Sequence, residues 1–120
     1  MDENVGVFRT EDGLKAQVQK VEGLRDRFSR LKIEDRSRVF NTELTAALEL
    51  EYMLELAEVM TLSALNRKES RGAHARRDFP ERDDQHYLAN TMAAYVPGGK
   101  PKLTFRDVRI THFEPKARTY

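Results

Sequence analysis

The stretch Arg67-Lys68-Glu69-Ser70-Arg71-Gly72-Ala73-His74-Ala75-Arg76-Arg77-Asp78-Phe79-Pro80-Glu81-Arg82-Asp83-Asp84 decides how this chain is read. Its charges alternate in sign, and Gly72 and Pro80 punctuate it, so the segment can leave a helix, turn twice and enter another element. Arginines and carboxylates at this density satisfy one another through charge-assisted hydrogen bonds. The composition is that of a docked loop over about residues 69–84, built from Glu69, Ser70, Arg71, Gly72, His74, Arg76, Asp78, Arg82, Asp83 and Asp84.

Upstream of the loop the chain reads as two helices. Thr10 is a candidate N-cap, with Glu11 and Asp12 placed where the helix dipole favours negative charge. Leu14, Val18, Val21, Leu24, Phe28 and Leu31 then recur at spacings of three and four, which predicts a helix over about 10–31 with one apolar stripe. Lys15, Gln19, Lys20, Glu22, Arg25 and Arg27 fall on its other faces. Asn41 is a good N-cap for a second, longer helix over about 41–68. Its apolar positions, from Leu44 through Leu65, occupy most of the circumference, with Glu51, Glu55 and Glu58 forming a narrow polar strip for solvent. Such a helix needs cover on more than one side, either from the C-terminal third of the chain or from other polypeptide.

Downstream, Asp83 or Asp84 can cap a short helical turn. Residues from about 90 to 110 read as a β-hairpin around Pro97-Gly98-Gly99-Lys100-Pro101; a helix from Asp84 through Tyr95 is the rival. Residues 1–9 lack regular pattern, with Val5, Val7 and Phe8 as apolar anchors. The fold class expected is mainly α: a helical bundle built on an antiparallel helix pair with a long central helix, plus a small C-terminal hairpin, in a single domain over 1–120.

Composition narrows the functions. Lys and Arg total 21 against 20 Asp and Glu, so no field of one sign points to nucleic acid or an anionic membrane. Without cysteine there are no disulfides, thiolate metal sites or cysteine nucleophiles. No apolar run approaches the roughly 20 residues of a membrane span, and a soluble chain is expected. His74, beside Ser70 and Asp78, is the most tempting catalyst, yet sequence proximity is not triad geometry and a structural role is favoured. His74, His86 and His112 lack paired-ligand spacing, so no metal site is expected. Gly98-Gly99 has no strand-loop-helix context for a nucleotide.

The loop resembles the Glu-Ser-Arg-Gly-Ala-His-x-Arg-x-Asp-Phe-Pro-x-Arg-Asp-Asp signature near the C-terminus of the flavoprotein subunit of succinate dehydrogenase and fumarate reductase. Asn4-Val5-Gly6-Val7-Phe8-Arg9-Thr10, Val39-Phe40-Asn41-Thr42-Glu43-Leu44 and Pro115-Lys116-Ala117-Arg118-Thr119-Tyr120 look like that family in the same order. The resemblance implies the C-terminal helical domain of a larger flavoprotein, here a fragment begun at an internal methionine. It implies a parent that interconverts succinate and fumarate by hydride transfer with covalent FAD and passes electrons to an iron-sulfur subunit. Catalytic and FAD-binding residues would lie upstream, so none is assigned here and no cofactor is expected in the fragment. Its partners would be the upstream flavin and capping domains and the iron-sulfur subunit, with a cytoplasmic or membrane-peripheral location through the parent complex. The C-terminal domain of L-aspartate oxidase, with a similar Ser-Arg-Gly core, and a self-standing helical interaction module that self-associates are the alternatives.

A docked loop makes a mutational prediction. Breaking a partly buried ion pair costs about 3 to 5 kcal/mol and an exposed one under about 1. Arg71→Ala and Asp78→Ala should therefore lower the melting temperature more than Arg25→Ala; equal temperatures would show the loop to be solvated.

Overall fold

The computed structural model describes residues 1–116, so Ala117 to Tyr120 of the closing motif lie outside the described residues. In chain order the elements are α1 (Asp2–Val5), β1 (Phe8–Arg9), α2 (Glu11–Phe28), α3 (Thr42–Asn66), β2 (Ala75–Arg76), α4 (Asp84–Tyr87), β3 (Ala89–Ala94) and β4 (Lys102–Asp107).

Caps set where the helices begin. The Thr10 hydroxyl accepts from the Gly13 amide at 3.2 Å, and the Asn41 side chain accepts from the Leu44 amide at 2.8 Å. Asp83 caps α4 by accepting from the Gln85 and His86 amides, both at 3.0 Å. Each satisfies a donor that has no partner within its own helix. The ends come earlier than periodicity suggests. α2 stops at Phe28, where the Ser29 hydroxyl turns back onto the Asp26 carbonyl. α3 stops at Asn66 because Arg67 is extended.

α2 and α3 run antiparallel. Leu14 near the start of α2 packs with Ala64 near the end of α3 and with Val5 of α1, while Leu65 flanks the cluster. Farther along, Arg25 of α2 donates to Glu58 of α3 at 2.8 Å. That contact corrects the expected solvent strip: Glu58 is buried because a cation from the facing helix accompanies it. The apolar stripe of α2 is likewise only partly covered. Leu14 and Val21 are buried together with Gln17, whereas Leu24 and Leu31 are exposed.

The N-terminal residues, which carry no periodic signal, form α1 and then β1. β1 pairs in parallel with β2, Phe8 opposite Ala75 and Arg9 opposite Arg76. Two residues per strand are too few to leave a hydrophobic alternation in sequence, so only the paired structure reveals them. β3 and β4 form the antiparallel hairpin in register from Ala89↔Asp107 to Ala94↔Lys102, which sets aside the rival helix and ends the hairpin short of Ile110. Gly98, at φ +67°, supplies the left-handed residue of its turn.

The hairpin lies beside α3 without covering it. Leu44, Leu48, Tyr52, Met53, Leu56 and Met60 all remain exposed. Of the two sources of cover that the apolar circumference of α3 calls for, the described residues of the C-terminal third therefore do not supply it. An apolar groove of about 480 Å³ runs between α3 and the hairpin, lined by Tyr52, Leu56, Val59, Tyr95, Val96 and Pro101 among others.

Candidate functional site

The loop after α3 folds around two buried ions. Arg76, 1% exposed, is held by a fork: its Nε donates to Asp78 Oδ1 at 2.8 Å and its Nη2 to Asp78 Oδ2 at 2.7 Å. The other terminal nitrogen donates to the carbonyls of Ala64, Arg67 and Leu65 at 3.2, 3.3 and 3.4 Å. These carbonyls belong to the last turn of α3 and the residue just past it, where no helical amide is available and the dipole is negative. Arg76 is therefore the C-cap of the long helix, supplied from a strand. Its guanidinium also lies 4.9 Å from the centroid of the Phe79 ring.

Asp78 faces the opposite kind of helix end. Its Oδ2 accepts from the backbone amide of Glu11, the first residue of α2, at 2.9 Å. One arginine–aspartate pair thus joins the negative end of α3 to the positive end of α2. The hydrogen bonds from Arg76 bring the Asp78 carboxyl down to about 2.

Glu69 is the second buried ion, at 0% exposure. It accepts from Arg67, from Nε and Nη2 of Arg71 at 3.0 Å each, and from the Asp83 amide at 2.9 Å. Burial pushes its pKa up more than any single effect, but the bonds from Arg71, the Asp83 amide and Arg67 together outweigh it and hold the group below the usual range. Arg71 continues to Asp84 at 2.6 Å; Arg82 reaches the other oxygen of Asp84 at 2.6 Å and the Lys116 carbonyl at 2.6 Å. Ser70 accepts from the Arg76 amide and donates to the Phe79 carbonyl, both at 2.8 Å. Gly72, at φ +57°, makes the turn whose ends are the reciprocal Arg71–His74 backbone bonds.

Among the described residues the His74 ring hydrogen-bonds no nucleophile. Its Nε2 bonds the Arg67 carbonyl at 3.1 Å and its Nδ1 bonds Nη1 of Arg9 at 2.5 Å. A carbonyl only accepts and a guanidinium only donates, so the ring is neutral with its proton on Nε2. Burial lowers its pKa, and Arg9, Arg76 and Arg67 lower it further against the opposing bond to the Arg67 carbonyl.

Two members of this network were not among the ten expected. Arg9 donates to the carbonyls of Gly6 and Val5 and to His74, tying the end of α1 to the loop. Arg67 donates to the carbonyls of Tyr87 and Ala89, and its guanidinium lies 5.6 and 5.8 Å from the ring centroids of Tyr87 and Phe105, which meet edge to face. It pins the hairpin to the end of α3. Arg67 opens the charged stretch and Arg9 lies in a family-like one, but only their distant partners distinguish them from solvated arginines. The loop's donors are spent on helix carbonyls and carboxylates, and Gly98-Gly99 closes a hairpin. Among the described residues no cluster of His, Asp and Glu could hold a metal ion, and no helix is long and apolar enough to cross a membrane.

Removing Arg76 strands a carboxylate and a helix end together, so Arg76→Ala should cost about 3 to 5 kcal/mol. Arg30→Ala, from an exposed pair with Asp26, should cost under about 1; urea melts of the two variants check the difference. Arg25 is the weaker control because its loss leaves Glu58 buried and unpaired.

The depressed pKa values fix the direction of the pH dependence. The unfolded chain binds a proton at His74 near pH 6.5 and at Asp78 near 3.9, while the folded chain resists both. Stability should be greatest above about pH 6.5, fall as His74 protonates only in the unfolded state, and fall again below about 3.9 as Asp78 does. Melts across pH should show the first decline vanish in His74→Gln and the second shrink in Asp78→Asn.

Comparison with known proteins places this arrangement. The family model described as "Fumarate reductase flavoprotein C-term" matches residues 1–120. The chain is 46% identical over 122 residues to a fumarate reductase flavoprotein subunit of Serratia sp. and 41% identical over 120 residues to that of Haemophilus influenzae, covering 100% of this chain and 20% of each relative. An E. coli quinol fumarate reductase structure superposes with a TM-score of 0.93 at 41% identity, covering 98% of this chain and 20% of that one. The chain thus spans about a fifth of the length of its relatives. The protein belongs to the family of fumarate reductase flavoprotein C-terminal domains.

Proposed function

We propose that this chain is the structural and docking domain of a fumarate reductase or succinate dehydrogenase flavoprotein subunit. The parent enzyme interconverts succinate and fumarate by FAD-dependent hydride transfer and passes electrons to an iron-sulfur subunit; the reacting groups lie in its upstream domains. The domain's own task is mechanical. The ion network of Glu69, Arg71, Arg76 and Asp78 sets the angle between the helices, and the apolar side of α3 packs against the flavin and capping domains.

The observation that carries this reading is the uncovered face of α3, with Leu56 at 62% and Met60 at 54% exposure. Monomeric proteins rarely leave contiguous apolar patches beyond a few hundred Å² open to water. Relatives five times as long carry, in the same polypeptide, the material to cover it.

The test is Leu56→Lys with Met60→Lys in the full-length subunit. Each lysine buried at a core contact should cost several-fold in domain attachment, read as faster proteolytic release of the C-terminal portion and lower succinate-fumarate turnover. The same pair in the 120-residue chain should leave its melting temperature within about 2 °C, since exposed sites shift stability by under about 0.5 kcal/mol. Unchanged release from the full-length subunit would overturn the docking role.

A further inference from the structure

At the end of the helix pair away from the ion network, residues 34–41 form a tight connection with two apolar side chains turned outward. Phe40 is 93% exposed and Val39 71% exposed. Phe40 also holds φ +53°, a left-handed conformation that a bulky side chain rarely adopts and that costs free energy. The Phe40 ring itself repays none of that cost, because it is turned to water.

The strain is enforced by a network around it. The Glu43 carboxylate accepts from the amides of Glu34 and Asp35, the latter at 2.7 Å. Asn41 donates to the carbonyls of Asp35 and Ser37 at 2.9 and 3.2 Å while its oxygen caps α3. The Asp35 side chain accepts from the Ser37 amide at 2.8 Å. Residues on both sides of Val39–Phe40 are thus fastened to the first turn of α3, and the knuckle projects from a rigid base.

We infer that Val39–Phe40 is a preorganised anchor that inserts into an apolar pocket on the upstream part of the same flavoprotein subunit. The charges around the knuckle are mixed, Lys32, Arg36 and Arg38 being exposed beside Glu34 and Asp35, so the apolar pair and its fixed backbone carry the contact. A protein pocket is favoured over an anionic membrane because inserting a ring into lipid needs no fixed backbone, whereas filling a shaped pocket gains from one held in place. The same polypeptide is favoured because the domain spans a fifth of its relatives and Leu44 and Leu48, one and two turns from Phe40, begin the uncovered face of α3. The inference rests on the docking role proposed above and adds a second, separate contact to it.

The experiment is Phe40→Gly in the full-length subunit, compared with Leu56→Lys. Glycine accepts positive φ without strain, so if Phe40 had no partner the substitution would stabilise the protein or leave it unchanged. With the anchor seated, Phe40→Gly instead lowers the melting temperature and speeds proteolytic release of the domain on the order of tenfold, as loss of a buried aromatic anchor does. A raised or unchanged melting temperature would overturn the anchor. If Leu56→Lys releases the domain and Phe40→Gly does not, the anchor alone fails; if neither does, the docking role fails with it. Phe40-dependent sedimentation with phosphatidylserine vesicles, without any change in domain release, would assign the knuckle to a membrane and likewise overturn the inference.

Discussion

The structure depends on one forked ion pair. Arg76 and Asp78 lie between the C-terminal end of α3 and the N-terminal end of α2, and each satisfies backbone groups that the other's charge makes favourable to approach. A guanidinium on helix carbonyls and a carboxylate on a helix amide are each stabilised by the dipole they face. Because the pair is bidentate, it fixes direction as well as distance, and the helix angle follows. The parallel β1–β2 contact, the Ser70 turn and the His74–Arg9 bond all lie within a few residues of it.

This dependence on polar contacts reflects what little apolar core the domain has. Among the described residues five apolar ones are buried, and as many polar or charged ones: Gln17, Glu58, Thr61, Glu69 and Arg76. A buried ion is costly unless its hydrogen-bonding capacity is filled, and here Glu69 and Arg76 are filled from several elements at once. Every such bond demands a particular geometry, so the network favours one arrangement over many compact alternatives. The apolar residues that a self-sufficient domain would bury lie instead on the outside of α3 and at the Val39–Phe40 knuckle.

The division of labour is therefore spatial. One end of the molecule is closed upon itself by charge, with its donors and acceptors spent internally. The long side and the far end leave hydrocarbon exposed. On the docking role proposed above, the domain would contribute rigidity where it is polar and attachment where it is apolar.

Much of this was legible in the residues. Helix periodicity, the caps at Thr10, Asn41 and Asp83 and the Pro97-Gly98-Gly99 turn are local signals, written within a few positions of the backbone they organise. The loop could be recognised as docked because alternating arginine and carboxylate is wasteful in water. The partners were not legible, since a guanidinium 22 to 65 residues from its acceptor leaves no periodic trace: Arg9 with His74, Arg25 with Glu58 and Arg67 with Ala89 were decided by the tertiary structure. So were β1 and β2, two residues each and held by one another. Sequence by itself determined which segments would be helix, turn and loop, because those choices rest on short-range sterics and hydrogen bonds. Tertiary structure alone decided which charges are buried and which apolar face stays open, because burial depends on what distant parts of the chain bring against it.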